Sequence, residues 1–177
     1  MATNVTELMN EVKNIKGCVF AHVEYMADEK IPKKWGINGK VTKLVSGQVQ
    51  LNYDYENAVN NRLEKLGKER SFTAKSLPWG VWETPNKIIE HKGDYYLRYY
   101  CFKGAKMESV YFVDGRPALQ SEISIINEWK KNKKTGSTTQ SAEGLDENQV
   151  EPRCVKFANI TYMKCGNLIY QIGKLAV

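Results

Sequence analysis

An α+β fold, in which helices pack on one curved antiparallel sheet or partly open β-barrel, is what this 177-residue sequence predicts. Three observations lead there. Apolar residues recur at three- and four-residue steps in three stretches, near residues 4–15, 57–66 and 118–131, as helices with one buried stripe require. About seven or eight further runs alternate apolar and polar side chains or are rich in Tyr, Val and Ile, the pattern of half-buried strands. Pairs such as Ser46-Gly47, Lys92-Gly93 and Gly104-Ala105 punctuate those runs as hairpin turns do.

The first helix carries Val5, Leu8, Met9, Val12 and Ile15 along one stripe, with Asn4 or Thr6 as cap and Gly17 as stop. The run CVFAHVEYM, residues 18–26, reads as a strand whose buried side holds Val19, Ala21, Val23 and Tyr25. A basic loop, residues 28–39, follows, with Trp35 set among Lys30, Lys33 and Lys34. Residues 40–53 read as a hairpin turning at Ser46-Gly47, its wet side marked by Gln48, Gln50 and Asn52. Ala58, Val59, Leu63 and Leu66 give the second helix its stripe, and Gly67 ends it. An irregular, Trp-containing connection with Trp79 and Trp82 leads to a three-strand meander over residues 87–113. The third helix, 118–131, shows Leu119, Ile123, Ile126 and Trp129 or Lys130 on one side.

Residues 1–131 are thus predicted as the main domain and 132–150 as a flexible linker or disordered loop, being polar with almost nothing to bury. Two strand runs, 154–163 and 167–172, form a C-terminal hairpin within 151–177 that packs back on the main sheet, since a lone hairpin is marginal in water.

Charge and cysteines bound the function. The net charge of +6 favours polyanionic partners. Cys18, Cys101, Cys154 and Cys165 are too widely spaced for a zinc knuckle, and Cys18 and Cys101 read as small buried hydrophobes. No apolar run approaches the ~18 residues of a membrane span, and the first residues lack a signal-peptide core. A reducing, cytoplasmic-type compartment, no membrane, no metal and no cofactor are the expectations. With only His22 and His91, and none of the nucleophile-elbow, zinc-protease, P-loop or dinucleotide motifs, catalysis has no visible residues to carry it.

The meander concentrates the aromatic residues. Four tyrosines fall between Tyr95 and Tyr100. A two-residue turn at Gly104-Ala105 pairs Phe102 with Met107, Tyr100 with Ser109, Arg98 with Tyr111, and Tyr96 with Val113. Tyr96, Arg98, Tyr100 and Tyr111 then share an outward face, while Tyr95, Leu97, Tyr99, Val110 and Phe112 form the more apolar, core-facing one. A one-residue slip exchanges the faces. Exposed tyrosines stack bases, Arg98 adds a cation among them, and Trp35, Lys33, Lys34, Arg62, Lys68 and Arg70 supply a further ring and phosphate contacts. The competing account is structural: a Tyr-rich strand covered by a helix on each side needs no ligand.

The run Lys92-Gly93-Asp94-Tyr95-Tyr96-Leu97-Arg98-Tyr99 resembles the sheet motif of RNA-recognition domains, but Asp94 intervenes and the small residue is missing. In composition the small, basic, β-rich chain with clustered aromatics is similar to single-stranded-DNA-binding proteins of the OB or related barrel type, phage-encoded ones included. The expected function is non-catalytic binding of single-stranded nucleic acid. The alternative is a protein-interaction or virion component, or a homo-oligomer, using the same aromatic surface.

Overall fold

A computed structural model of the chain describes residues 2–72, 75–76, 80–81, 87–102, 107–134 and 150–172. The elements in order are α1 (Val5–Asn14), β1 (Val19–Glu29), β2 (Val41–Leu51), α2 (Tyr55–Lys65), β3 (Lys75–Ser76), β4 (Gly80–Val81), β5 (Ile88–His91), β6 (Asp94–Phe102), β7 (Glu108–Val113), β8 (Arg116–Pro117), α3 (Gln120–Lys134), β9 (Val150–Lys156), β10 (Ile160–Cys165) and β11 (Leu168–Gln171). Short 3-10 turns lie at Lys33–Trp35 and Phe157–Asn159. The predicted turn at Gly104-Ala105, Trp79 and Trp82, and most of the predicted linker fall outside the described residues.

Among the described residues nine strands make one antiparallel sheet, and β3 and β4 pair as a separate two-stranded one. β1 and β2 form a long ribbon, from Val19 opposite Leu51 to Glu29 opposite Val41. β2 meets β6 at Gln50 and Tyr100, and β6 runs beside β9 from Tyr96/Lys156 to Phe102/Val150. The chain then turns at Phe157–Asn159 and returns through β10 to β1. That circuit curls the sheet into a half-barrel, an OB-like, partly open architecture within an α+β fold.

The core fills this curl. Ala21 and Val23 of β1, Val49 and Leu51 of β2, Leu97 and Tyr99 of β6, and Phe157, Ile160, Met163 and Tyr170 from the C-terminal strands are all buried. Leu8 and Val12 of α1 join them, both with no exposed area. The cap of α1 follows the predicted chemistry: Asn4 Oδ1 accepts from the Glu7 N–H at 2.9 Å, and Glu7 accepts from the Thr3 N–H at 2.9 Å. Ile126 of α3 packs with Ile37, Val41 and Val113 in a second cluster.

Three strand assignments are corrected. Residues 41–51 are one continuous strand, without a turn at Ser46-Gly47. Gly47 serves another purpose, because a Cβ there would lie 2.5 Å from Met107 Sδ and 3.2 Å from Met107 Cα. The three-strand meander is only a hairpin, β5–β6, turning at Lys92 and Gly93 with φ of 50° and 82°. β7 pairs with β2 instead, Tyr111 opposite Lys43 and Val113 opposite Val41. The predicted strand 154–163 is broken by the turn that buries Phe157 and carries the chain from β6 to β1. Cys18 is exposed, contrary to expectation, and its sulfur accepts from Gln50 Nε2 at 2.8 Å. Among the described residues no helix is long and apolar enough to cross a membrane.

Candidate nucleic-acid interface

Arg98 and Tyr100 are 3% and 2% exposed, so the predicted stacking face of β6 is covered. At Tyr100 the physical reason is α2. Sequence periodicity predicts that helix but not the sheet face it packs on, and it brings Tyr55 and Val59, with Tyr53 beside them, over Tyr100. The Tyr100 ring stacks on Tyr55 with centroids 5.8 Å apart and 28° between planes. The Arg98 guanidinium carbon sits 5.5 Å from the centroid of Tyr100. Burial lowers the Arg98 pKa and pushes the Tyr100 hydroxyl up to about 12. Both act as packing groups. The opposite face divides too: Leu97 and Tyr99 are core, as predicted, whereas Tyr95 is 43% and Val110, on β7, 54% exposed.

Tyr111 lies on a different strand ladder from Tyr96, Arg98 and Tyr100, and its phenol is occupied by α3. Lys130 donates to its hydroxyl and lies 4.8 Å from its ring centroid, while Glu29 faces Lys130 at 3.6 Å. Tyr96 is half-buried between β5 and β9. Arg70 closes back on α2, donating to Asn57 at 2.7 Å, to Asn61 at 2.6 Å and to Glu64 at 2.9 Å. Arg62 is half-buried on the same helix, and Lys68 is exposed just beyond it.

Trp35, Lys33 and Lys34 are brought together. They form the 3-10 turn in the β1–β2 connection, with both lysines exposed and the indole half-buried. The loop is fixed at several points. The Trp35 N–H donates to the Pro32 carbonyl at 3.1 Å, and Gly36, with φ of 99°, takes the left-handed conformation that ends the turn. Ile37 is buried beside Ile126, and the Lys40 N–H donates to Asp114 at 2.9 Å.

A second surface is one that sequence patterning does not reveal. A groove of about 730 Å³ lies between the C-terminal end of α1 and the β5–β6 hairpin, lined by Lys13, Lys16, Lys87, Ile88, Glu90 and Tyr95 among others. Asn52 Nδ2 donates to the carbonyls of Ile15 and Gly17 at 3.2 and 2.9 Å, and Lys87 donates to that of Ile15. Burial lowers the Lys87 pKa. Tyr95, which alternation assigns to the core, stands two residues past the Lys92-Gly93 turn and is exposed.

Among the described residues no three His, Cys, Asp or Glu side chains gather as metal ligands would. No protein family, curated protein or solved structure matches the chain.

Proposed function

We propose that this protein binds single-stranded nucleic acid as a non-catalytic binding module. The observation that carries the reading is the β1–β2 connection: a half-buried Trp35 flanked by exposed Lys33 and Lys34, with exposed Lys30 nearby, on a loop anchored by backbone hydrogen bonds and the buried Ile37. An indole offers a face to any base, and lysines beside it track the neighbouring phosphates. Loops joining strands at a barrel rim are where OB-like proteins meet oligonucleotides. Preorganisation matters because a loop already ordered loses less entropy on binding.

Fluorescence anisotropy of labelled single-stranded oligonucleotides across a salt series tests this. Trp35→Ala weakens binding by about five- to a hundredfold, the worth of one stacked base. Lys33→Ala/Lys34→Ala lowers the slope of log affinity against log salt by about 1.4, which is roughly 0.7 for each phosphate no longer neutralised. No salt-dependent binding at low ionic strength ends the reading.

A protein-contact reading draws on a different surface from the tyrosines of β6. Phe20 is 56% exposed and Ile169 37% exposed, and both belong to the outward side of the β1–β10–β11 sheet. Light scattering distinguishes the two: a stable oligomer that Phe20→Ser dissociates, with no oligonucleotide affinity, favours protein contact.

A further inference from the structure

We propose that the groove between α1 and the β5–β6 hairpin is a second, separate site, and that its ligand is a nucleotide unit, an aromatic base carrying a phosphate. That unit is either a free nucleotide or one residue of a single strand; the strand source rests on the function proposed above, and the free source does not.

The groove combines the two chemistries such a ligand needs. Tyr95 stands on β6 opposite Glu90, with 43% of its surface open, and Ile88 extends the apolar wall beside it. The strand backbone fixes where the Tyr95 side chain leaves the sheet, and its phenol ring offers a face on which a base can stack. Lys13, Lys16 and Lys87 set three cations against the one lining carboxylate, Glu90. Neither Lys13 nor Lys16 is ion-paired among the described residues.

Carbonyl oxygens facing a binding groove repel an anion. Two that border this groove just past α1 are occupied from inside the protein: Asn52, in the left-handed region with φ of 59°, turns its amide onto the Ile15 and Gly17 carbonyls, and the Lys87 ammonium donates to Ile15 as well. Beside those satisfied acceptors the groove offers a ligand ammonium groups and a ring. Its volume of about 730 Å³ lies in the range of small-ligand sites, roughly 300–1,000 Å³.

Isothermal titration with deoxythymidine 5′-monophosphate, deoxythymidine and inorganic phosphate reads the site directly, and an oligothymidylate competition identifies the source. The monophosphate binds more tightly than either fragment. Tyr95→Ala weakens it by about five- to a hundredfold, and Lys13→Ala/Lys16→Ala weakens it and flattens its salt dependence. Glu90→Gln tightens it, a gain that loss of structure does not produce. Lys33→Ala/Lys34→Ala leaves it unchanged while weakening the oligonucleotide, which keeps failure of the groove distinct from failure of the loop. Competition by oligothymidylate assigns the groove to a strand, and monophosphate binding without competition assigns it to free nucleotides. Absence of monophosphate binding, or wild-type affinity in both groove variants with their melting curves intact, overturns the proposal.

Discussion

Glu122 stands at the start of α3, where its carboxylate accepts from the Arg116 guanidinium at 2.8 and 2.9 Å and from the Leu119 N–H at 2.8 Å. Those hydrogen bonds, Arg116 first, lower its pKa from 4.5 to about 2. A folded-state pKa below the unfolded one stabilises the fold above the unfolded value, and that contribution is lost as pH falls from about 4.5 toward 2. Glu122→Gln should therefore lower the melting temperature at neutral pH, with the gap to the parent closing on that acid limb; a constant gap from pH 7 to 2 refutes the assignment. At this scale the sequence is a good guide where the interaction is local. Glu122 and its donors lie within six residues, and Asn4 caps α1 through Glu7 as spacing predicts. It is a poor guide to Tyr95 and Tyr100, neighbours in type and position, one open and one buried. Only the ends of distant elements separate them.

Gly47 makes the same point for elements. Beside Ser46 it spells a turn, yet it lies in the middle of an eleven-residue strand. The chain entering β7 crosses there, and Met107 takes the space a side chain would need. Gly47→Val should cost about 1–3 kcal/mol in chemical denaturation, as overpacking does. Met107→Ala in the same chain should recover part of that loss, whereas strictly additive losses contradict the contact. The alternation that predicts strands over 41–45 and 49–53 is sound, since Val41, Val45, Val49 and Leu51 all face inward. Pairing is legible at the tight hairpins β5–β6 and β10–β11 and not between strands distant in the chain. β6 and β7 are neighbours in sequence, but β6 takes β9, some fifty positions later, and β7 takes β2. Shared alternation tells a strand which face to bury, not which strand to lie beside.

For the whole molecule, the C-terminal strands complete the half-barrel. β9 covers one edge of β6, β10 covers one edge of β1, and Val155, Phe157, Ile160, Met163, Leu168 and Tyr170 enter the same core as Leu8 and Val12. A chain ended at residue 149 should lose cooperative thermal unfolding and NMR dispersion, since it keeps the apolar stripes and lacks what buries them. A native-like, cooperatively melting truncation contradicts this. The two candidate surfaces also belong to this scale. The Lys33–Trp35 turn sits at the Glu29/Val41 end of the β1–β2 ribbon, and the groove, with Gly17 and Asn52, at the Val19/Leu51 end.

By itself the sequence determined the fold class, the presence of three helices, the cap of the first, and the inward side of β1 and β2. These depend on period, turn chemistry and side-chain polarity within a short window. Tertiary structure alone decided which strands pair beyond the two tight hairpins, β5–β6 and β10–β11, that α2 packs on Tyr100, and hence which aromatics reach the surface. Those outcomes rest on contacts between residues far apart in the chain, where one packed helix helps turn Tyr100 from a predicted ligand platform into core, with Arg98 buried beside it.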